Sequence, residues 1–432
     1  MTLTMTGSTP VTRTTNSNGE FLFEAVAGGS TFQVTPSKPG FVFHPVSQDV
    51  EGLNGDRQMF FSGSGFHFSA QNYDVNENAG SVTVTVVRTG GDQSVAATVQ
   101  YQTEDDPAEV PCSQVGNTAY ARCDYATTVG ALTFEPGETS KVFSIPIIDD
   151  SYNENNETFT VRVKGTLTAP DTTTITIIDN DAQDGANPIF TTPFFVRLHY
   201  LDFLSREPEV GEPWTGVLNN CSDVNNDPTC DRLTVSAAFF GSPEFQLKGY
   251  FVYRFYKLAF NRLPTYAEIS FDMAAVTGQT AAEVFARKAA FTDAFVLRQE
   301  FIDAFDALNN TQYVEALMGR YNLAQITTPD PANPDGDQKV TRNTAELITA
   351  LDGATLTRAQ VLRMIADSDQ VFGLEFNQAF VAMQYFGYLR RAPEQAGFDA
   401  WLLYLNANPT DFRTMVNGFM NSIEYRLRFG PQ

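Results

Sequence analysis

The chain has 432 residues, 42% of them hydrophobic, so it can hold two to four domains and is too apolar to be disordered throughout. Its formal net charge of -23, from 51 acidic against 28 basic residues, excludes nucleic acid as the natural partner, because a polyanion needs a compensating basic surface. No run approaches the roughly 20 apolar residues that a membrane-spanning helix requires, so no transmembrane segment is expected.

The chain opens on the Thr-rich MTLTMTGSTPVTRTTNSNGEFLFEA, without the charged-then-apolar layout of a signal peptide. Such a start fits a cytoplasmic protein or one whose true beginning lies upstream. Asn18-Gly19 reads as a turn before the β-type run Glu20-Phe21-Leu22-Phe23, and Gly28-Gly29 leads into the alternation Thr31-Phe32-Gln33-Val34-Thr35. The string TTNSNGEFLFEAVAGGSTFQVTPSKPGFVFHPVSQDV resembles the carboxypeptidase-regulatory-like fold, a small prealbumin-type β-sandwich. The resemblance implies a truncated β-domain over 1–62 that lacks its leading strands, acts as a spacer or adhesive module, and places an export signal upstream. Ser62-Gly63-Ser64-Gly65 reads as a linker.

Residues 66–181 form a run of predicted strands. Ser81 to Val86, Thr158 to Val163 and Thr174 to Ile177 alternate strictly, and Val95 to Tyr101, Leu132 to Phe134 and Val142 to Ile148 add three more. Half-buried strands at this spacing predict an antiparallel sandwich. The stretch holds 17 acidic and 5 basic residues, and the acids gather in the turns: Glu77; Glu104, Asp105 and Asp106; Asp149, Asp150, Glu154 and Glu157; Asp179 and Asp181. Like charges packed at one rim of a sandwich repel by about 1 kcal/mol per pair even in water. Calcium suits such a rim, as a hard ion taking about six to eight oxygens in tolerant geometry.

The strings YDVNENAGSVTVTVVRTGG, VQYQTED, CDYATTVGALTFEPGETSKVFSIPIIDDSYNENNETFTVRV and ITIIDND resemble the Calx-β domain, an immunoglobulin-like calcium-binding sandwich of sodium–calcium exchangers and many bacterial surface proteins. The resemblance covers 66–181. It implies calcium ligands at Glu77, Asp105, Asp149, Asp150, Glu154, Glu157, Asp179 and Asp181, with the backbone carbonyl of Tyr152. Asn180 and Ser151 replace acids of the strongest binders, and Asn155 and Asn156 dilute the acidic loop, which bears on ion number and affinity. PAEVPCSQVGNTAYARC stands where the family has a short loop, with Cys112 and Cys123 placed to staple it.

From about Pro188 the pattern becomes helical. FFVRLHYLDFLSREP (194–208), FVYRFYKLAFNRLP (251–264) and FVAMQYFGYLRRAP (380–393) align on a terminal Arg-x-Pro. Phe195, Phe251 and Phe380 then share a register, as do Val196, Val252 and Val381, and Tyr200, Tyr256 and Tyr385. A second element recurs as FFGSPEF (239–245), FVLRQEF (295–301) and FMNSIEY (419–425). This predicts a repeated helical hairpin over 189–432, its aromatic stripe serving as core or as a ligand groove, with helices ended by Pro208, Pro264 and Pro393. YRFYKLAFNRLP, FVAMQYFGYLRRAP and FMNSIEYRLRFG resemble a helical bacterial domain of unknown function, number 4214 in that series. That resemblance implies an exported or surface-layer setting and no site residues. TTPDPANPDGDQ (327–338) reads as an exposed loop.

Of three possible connectivities for four cysteines, Cys112–Cys123 and Cys221–Cys230 close the shortest loops; no C-x-x-C pair signals zinc, and two disulfides require an oxidising compartment. Asp223-x-Asn225-x-Asp227 begins like an EF-hand loop, but Pro228 stands at the glycine and Thr234 at the bidentate position, so it reads as a solvated loop. His44, His67 and His199 show no ligand spacing, and no nucleophile-elbow, zinc-helix or phosphate-loop motif occurs. The expectation is a non-enzymatic, exported bacterial modular protein that binds calcium and serves a structural, adhesive or interaction role at the cell surface, its partners cell-surface proteins or glycans. The alternatives are an accessory part of an exported enzyme, or a carbohydrate-binding surface protein.

Overall fold

The structure is a computed structural model describing residues 1–432 except 8–9, 39–40, 91–92, 106–109, 165–170, 279 and 331–337. The chain divides into two compact units: one takes in the strands from Thr2 to Ile178, the other the residues from Asp181 onward together with the short segments 110–114 and Asp150–Asn153.

In the first unit the strands β1 (Thr2–Thr6), β2 (Val11–Thr14), β3 (Phe32–Ser37), β4 (Phe41–His44) and β5 (Gln48–Val50) precede the sandwich. Four of them make a sheet in the order β2-β1-β3-β5, over a small core of Leu3, Met5 and Val34. Glu20 to Phe23 is not a strand; Phe21 and Phe23 pack on that core from an irregular segment, so their apolar character serves burial without a ladder. The sandwich follows: β6 (Ser62–Phe68), β7 (Asn72–Asn76), β8 (Ser81–Thr89), β9 (Ala97–Glu104), β10 (Val129–Phe134), β11 (Ser140–Pro146), β12 (Glu157–Lys164) and β13 (Asp171–Ile178). One sheet runs β10-β9-β12-β13-β7 and the other β11-β8-β6-β4. The strict alternation of β8 sends Val82, Val84 and Val86 inward, where they share one core with Phe66, Val99, Phe134, Ile145, Val161 and Ile175.

Ser62 to Gly65, expected as a linker, is strand. β6 pairs antiparallel with both β4 and β8, so one strand from the first 62 residues belongs to the sandwich. The glycines answer to packing: a Cβ on Gly63 would stand 2.6 Å from the Phe43 ring and one on Gly65 3.3 Å from the Phe41 ring. The buried Ser64 hydroxyl accepts from Nε and Nη2 of Arg88, at 3.2 and 3.1 Å.

The second unit is helical, and its repeat is real. The helices Thr192–Leu204 and Phe251–Phe260, and the helix Asp369–Gln384 with its π-turn Tyr385–Leu389, each end on a left-handed residue, Ser205, Asn261 and Arg390, all at φ 54. Pro208, Pro264 and Pro393 stand three residues beyond these, so the left-handed residue makes the stop. The arginine that follows each stop performs the same task. Arg206 pairs with Glu244 at 2.8 Å, Arg262 with Glu300 at 2.7 Å and Arg391 with Glu424 at 2.7 Å, and each glutamate comes from the second recurring element. The three guanidiniums also lie over Tyr200, Tyr256 and Tyr385, 4.8 to 5.4 Å from the ring centres. The stripe residues Phe195, Phe251, Phe380, Tyr200, Tyr256 and Tyr385 are all buried, so the stripe is core. One departure from all-helical structure is the hairpin Gln325–Pro329 with Lys339–Asn343, which takes in the start of the expected loop; 331–337 lie outside the described residues.

Candidate metal centre

The strand register of the sandwich brings acids together. β13 runs parallel to β7 with Ile178 opposite Asn76, so the next residues, Asp179 and Glu77, leave their strands side by side. Glu77 opens a one-turn 3-10 helix, Glu77–Ala79, and is buried. Asn180, which replaces an acid, accepts from Asn78 N at 3.1 Å; its amide fixes the turn that carries Glu77. Glu77 and Asp179, both in the first unit, place carboxylate oxygens within 4.8 Å of each other.

β12 begins at Glu157, opposite Ile177 of β13, and so delivers a second acid to this end of the sheet. Glu154 stands just before it, and its backbone N–H donates to Asp179 Oδ2 at 2.8 Å, tying one group of acids to the other. The third member of this second group is Asp124. Its Oδ2 accepts from Tyr120 N at 2.6 Å, and its carbonyl accepts from Ile148 N at 2.9 Å. The next residue, Tyr125, stacks its ring on Phe159 of β12 at 3.8 Å, which holds the turn against the strand. Asp124, Glu154 and Glu157 form a triad with oxygens within 4.8 Å, entirely inside the first unit.

These oxygens repel. At such spacing the cost is about 1 to 3 kcal/mol per pair between bulk-water and protein-like screening. Asp124 registers it: burial first, then Glu157 and Glu77, push its carboxyl well above the usual carboxylate range, against the opposing bond from Tyr120. A divalent cation among the oxygens reverses that term, since ionised carboxylates then face a positive charge. Two groups of hard oxygen donors, partly buried and fixed by backbone N–H bonds, fit calcium and offer no soft ligand.

The other expected ligands lie outside these two groups, and Asp181 belongs to the second unit. Asp105 accepts from Ala121 N at 2.9 Å and from the Tyr125 hydroxyl at 3.3 Å, so it braces the turn carrying Asp124. Asp149 is half-buried at the end of the loop after β11. Asp150 and Tyr152 belong to the second unit, where Asp150 Oδ1 accepts from Tyr152 N at 2.7 Å and the Tyr152 hydroxyl donates to Leu427 O at 3.0 Å. Asp106 lies outside the described residues. Asp124 was missed because it stands alone beside Cys123, with no acidic neighbour and no alternating strand adjoining it; only its place at the start of CDYATT could have marked it.

Cys221 and Cys230 form a disulfide with Cα atoms 5.5 Å apart, and Cys112 and Cys123 are disulfide-bonded as well. Asp227 near the first bridge is therefore not part of a thiolate site. Asp223 and Asp227 instead accept from Asn225 N and Thr229 N, both at 3.0 Å, as a solvated loop does.

Residues 63–181 match the family model of the Calx-beta domain. The human sodium/calcium exchanger 3 is 34% identical over 139 residues, which are 26% of this chain and 14% of that protein. The mouse sodium/calcium exchanger 1 is 34% identical over 136 residues, 26% of this chain and 13% of that protein. The chain thus spans about one seventh of the length of the curated relatives it matches. Among solved structures, the apo-form Calx CBD1 domain is 34% identical, with 27% of this chain and 96% of that one covered at a TM-score of 0.22.

Proposed function

We propose that the chain is an exported bacterial protein whose Calx-β domain binds calcium at the strand ends and thereby stiffens a structural or adhesive module at the cell surface. The observation that carries this reading is the triad Asp124, Glu154 and Glu157, whose carboxylate oxygens lie within 4.8 Å of one another with two of the three acids buried. The family match supports the choice of ion, since Calx-β domains are typically calcium-binding. The disulfides support an oxidising compartment. A contact resembling a nucleophile with its base is present in the helical unit but closed. His199 Nε2 lies 2.7 Å from Ser236 Oγ, but both residues are wholly buried and closed to substrate.

Millimolar extracellular calcium largely fills a site with a dissociation constant on the order of 0.1–1 mM. Calorimetric titration of the full chain with calcium tests the assignment. Asp124→Asn and Glu157→Gln keep the shape of the site and remove ligand charge, and each should weaken calcium binding about ten-fold or more. Unchanged affinity in both variants would place the ion elsewhere.

A further inference from the structure

The helical unit holds a cleft whose chemistry is opposite to that of the acidic rim. An open cavity of about 600 Å³ and a deeper one of about 80 Å³ share the lining residues Phe190, Asn225, Arg232, Asn417, Asn421 and Arg426. In a chain of net charge -23, neither cavity is lined by an acid, and both are lined by two arginines. The neighbouring repeat arginines Arg206, Arg262 and Arg391 each grip a glutamate, whereas among the described residues Arg232 and Arg426 have no ion-pair partner.

Two buried donors at the inner cavity lack acceptors among the described residues. Tyr425, 1% exposed, lines it, and its hydroxyl has no hydrogen-bond partner among the described residues; the same holds for the buried Nε of Arg232, whose Nη2 donates to Phe190 O. Burial and the charge of Arg426 pull the Arg232 guanidinium below its ordinary range, which an anion between the two would relieve. The mouth has a different character. Phe190 is 48% exposed, with the Arg426 guanidinium 5.4 Å from its ring centre. Asn421 donates to Asn417 at 2.8 Å and accepts from Arg426, and Asn225 reaches the cleft from the loop pinned by the Cys221–Cys230 bridge.

We propose that this cleft binds an acidic sugar residue, its carboxylate held between Arg232, Arg426 and the Tyr425 hydroxyl, its ring on Phe190, and its hydroxyls on the asparagine amides. Unpartnered N–H and O–H donors at the base call for an acceptor oxygen with charge, which a neutral sugar lacks. An aromatic face beside amides at the mouth calls for a ring with both apolar and hydroxyl surface, which a bare anion lacks. The site lies wholly in the helical unit and does not depend on the calcium reading.

The test is calorimetric titration of the full chain with methyl β-D-glucuronide, methyl β-D-glucoside and inorganic sulfate. The glucuronide should bind saturably, and both the glucoside and sulfate about ten-fold more weakly, the loss expected when one charged bidentate contact or the ring contact is removed. Arg426→Gln should abolish the preference for glucuronide over glucoside. Asn417→Ala, at an exposed position, should weaken glucuronide binding in a chain whose melting temperature is unchanged. No saturable glucuronide binding, equal binding of the glucoside, equal binding of sulfate, or full binding by both variants would each overturn the proposal.

Discussion

His199 Nδ1 donates to Phe195 O at 2.8 Å, so its Nε2 accepts from the Ser236 hydroxyl, which in turn accepts from Tyr388. Burial pushes the imidazole down to about 4, outweighing the Phe195 bond and the Asp202 charge that pull the other way. Below its ordinary value of 6.5 the unfolded chain takes up a proton that the folded chain refuses. Stability is therefore intact above pH 6.5 and drains as the pH falls towards 4, by about 1.4 kcal/mol per pH unit. The chain's two tryptophans, Trp214 and Trp401, both lie in the helical unit, so their fluorescence reports its unfolding alone. Urea midpoints should drop between pH 6.5 and 5, and drop less in His199→Asn; equal slopes in the two proteins would contradict the assignment. Asp124 shows the reverse sign. Its carboxyl is raised, so without metal its burden on the first unit grows as the pH rises through the raised value, and calcium should remove that burden at neutral pH.

At the scale of elements, much was legible. Strict alternation located β8, β12 and β13 because each buries one face only, and the shared Arg-x-Pro register located the repeated helices. What alternation could not show was partnership. Gly63 and Gly65 read as a linker because composition records flexibility, whereas the rings of Phe43 and Phe41 that demand those glycines come from about 20 residues upstream. The repeated arginines and glutamates were both visible in the aligned strings, but only the folded hairpin brings Arg391 to Glu424. Within the site, the acids flanking β12 and β13 were legible as turns beside alternating strands, while Asp124 depends on a turn packed through Tyr125 on Phe159. The strand assignment of β6 has a direct consequence. Gly63→Ala forces a methyl into the Phe43 ring and should cost about 1 to 3 kcal/mol in denaturant unfolding, whereas a free linker would tolerate the change.

At the scale of the whole molecule, the acid excess resolves into local tasks. Part of it crowds the sandwich rim, and part answers the repeat arginines of the helical unit. The rim is the part whose acids stand close enough to hold a metal ion. Calorimetric unfolding of the full chain, stripped of metal and then titrated with calcium against a magnesium control, tests that directly. A ligand at ten times its dissociation constant adds about 1.4 kcal/mol to whatever contains its site. The unfolding transition should climb with the logarithm of calcium concentration above the dissociation constant, ignore equal magnesium, and stay fixed in Asp124→Asn with Glu157→Gln. Transitions indifferent to calcium, or raised equally in that double variant, would contradict it.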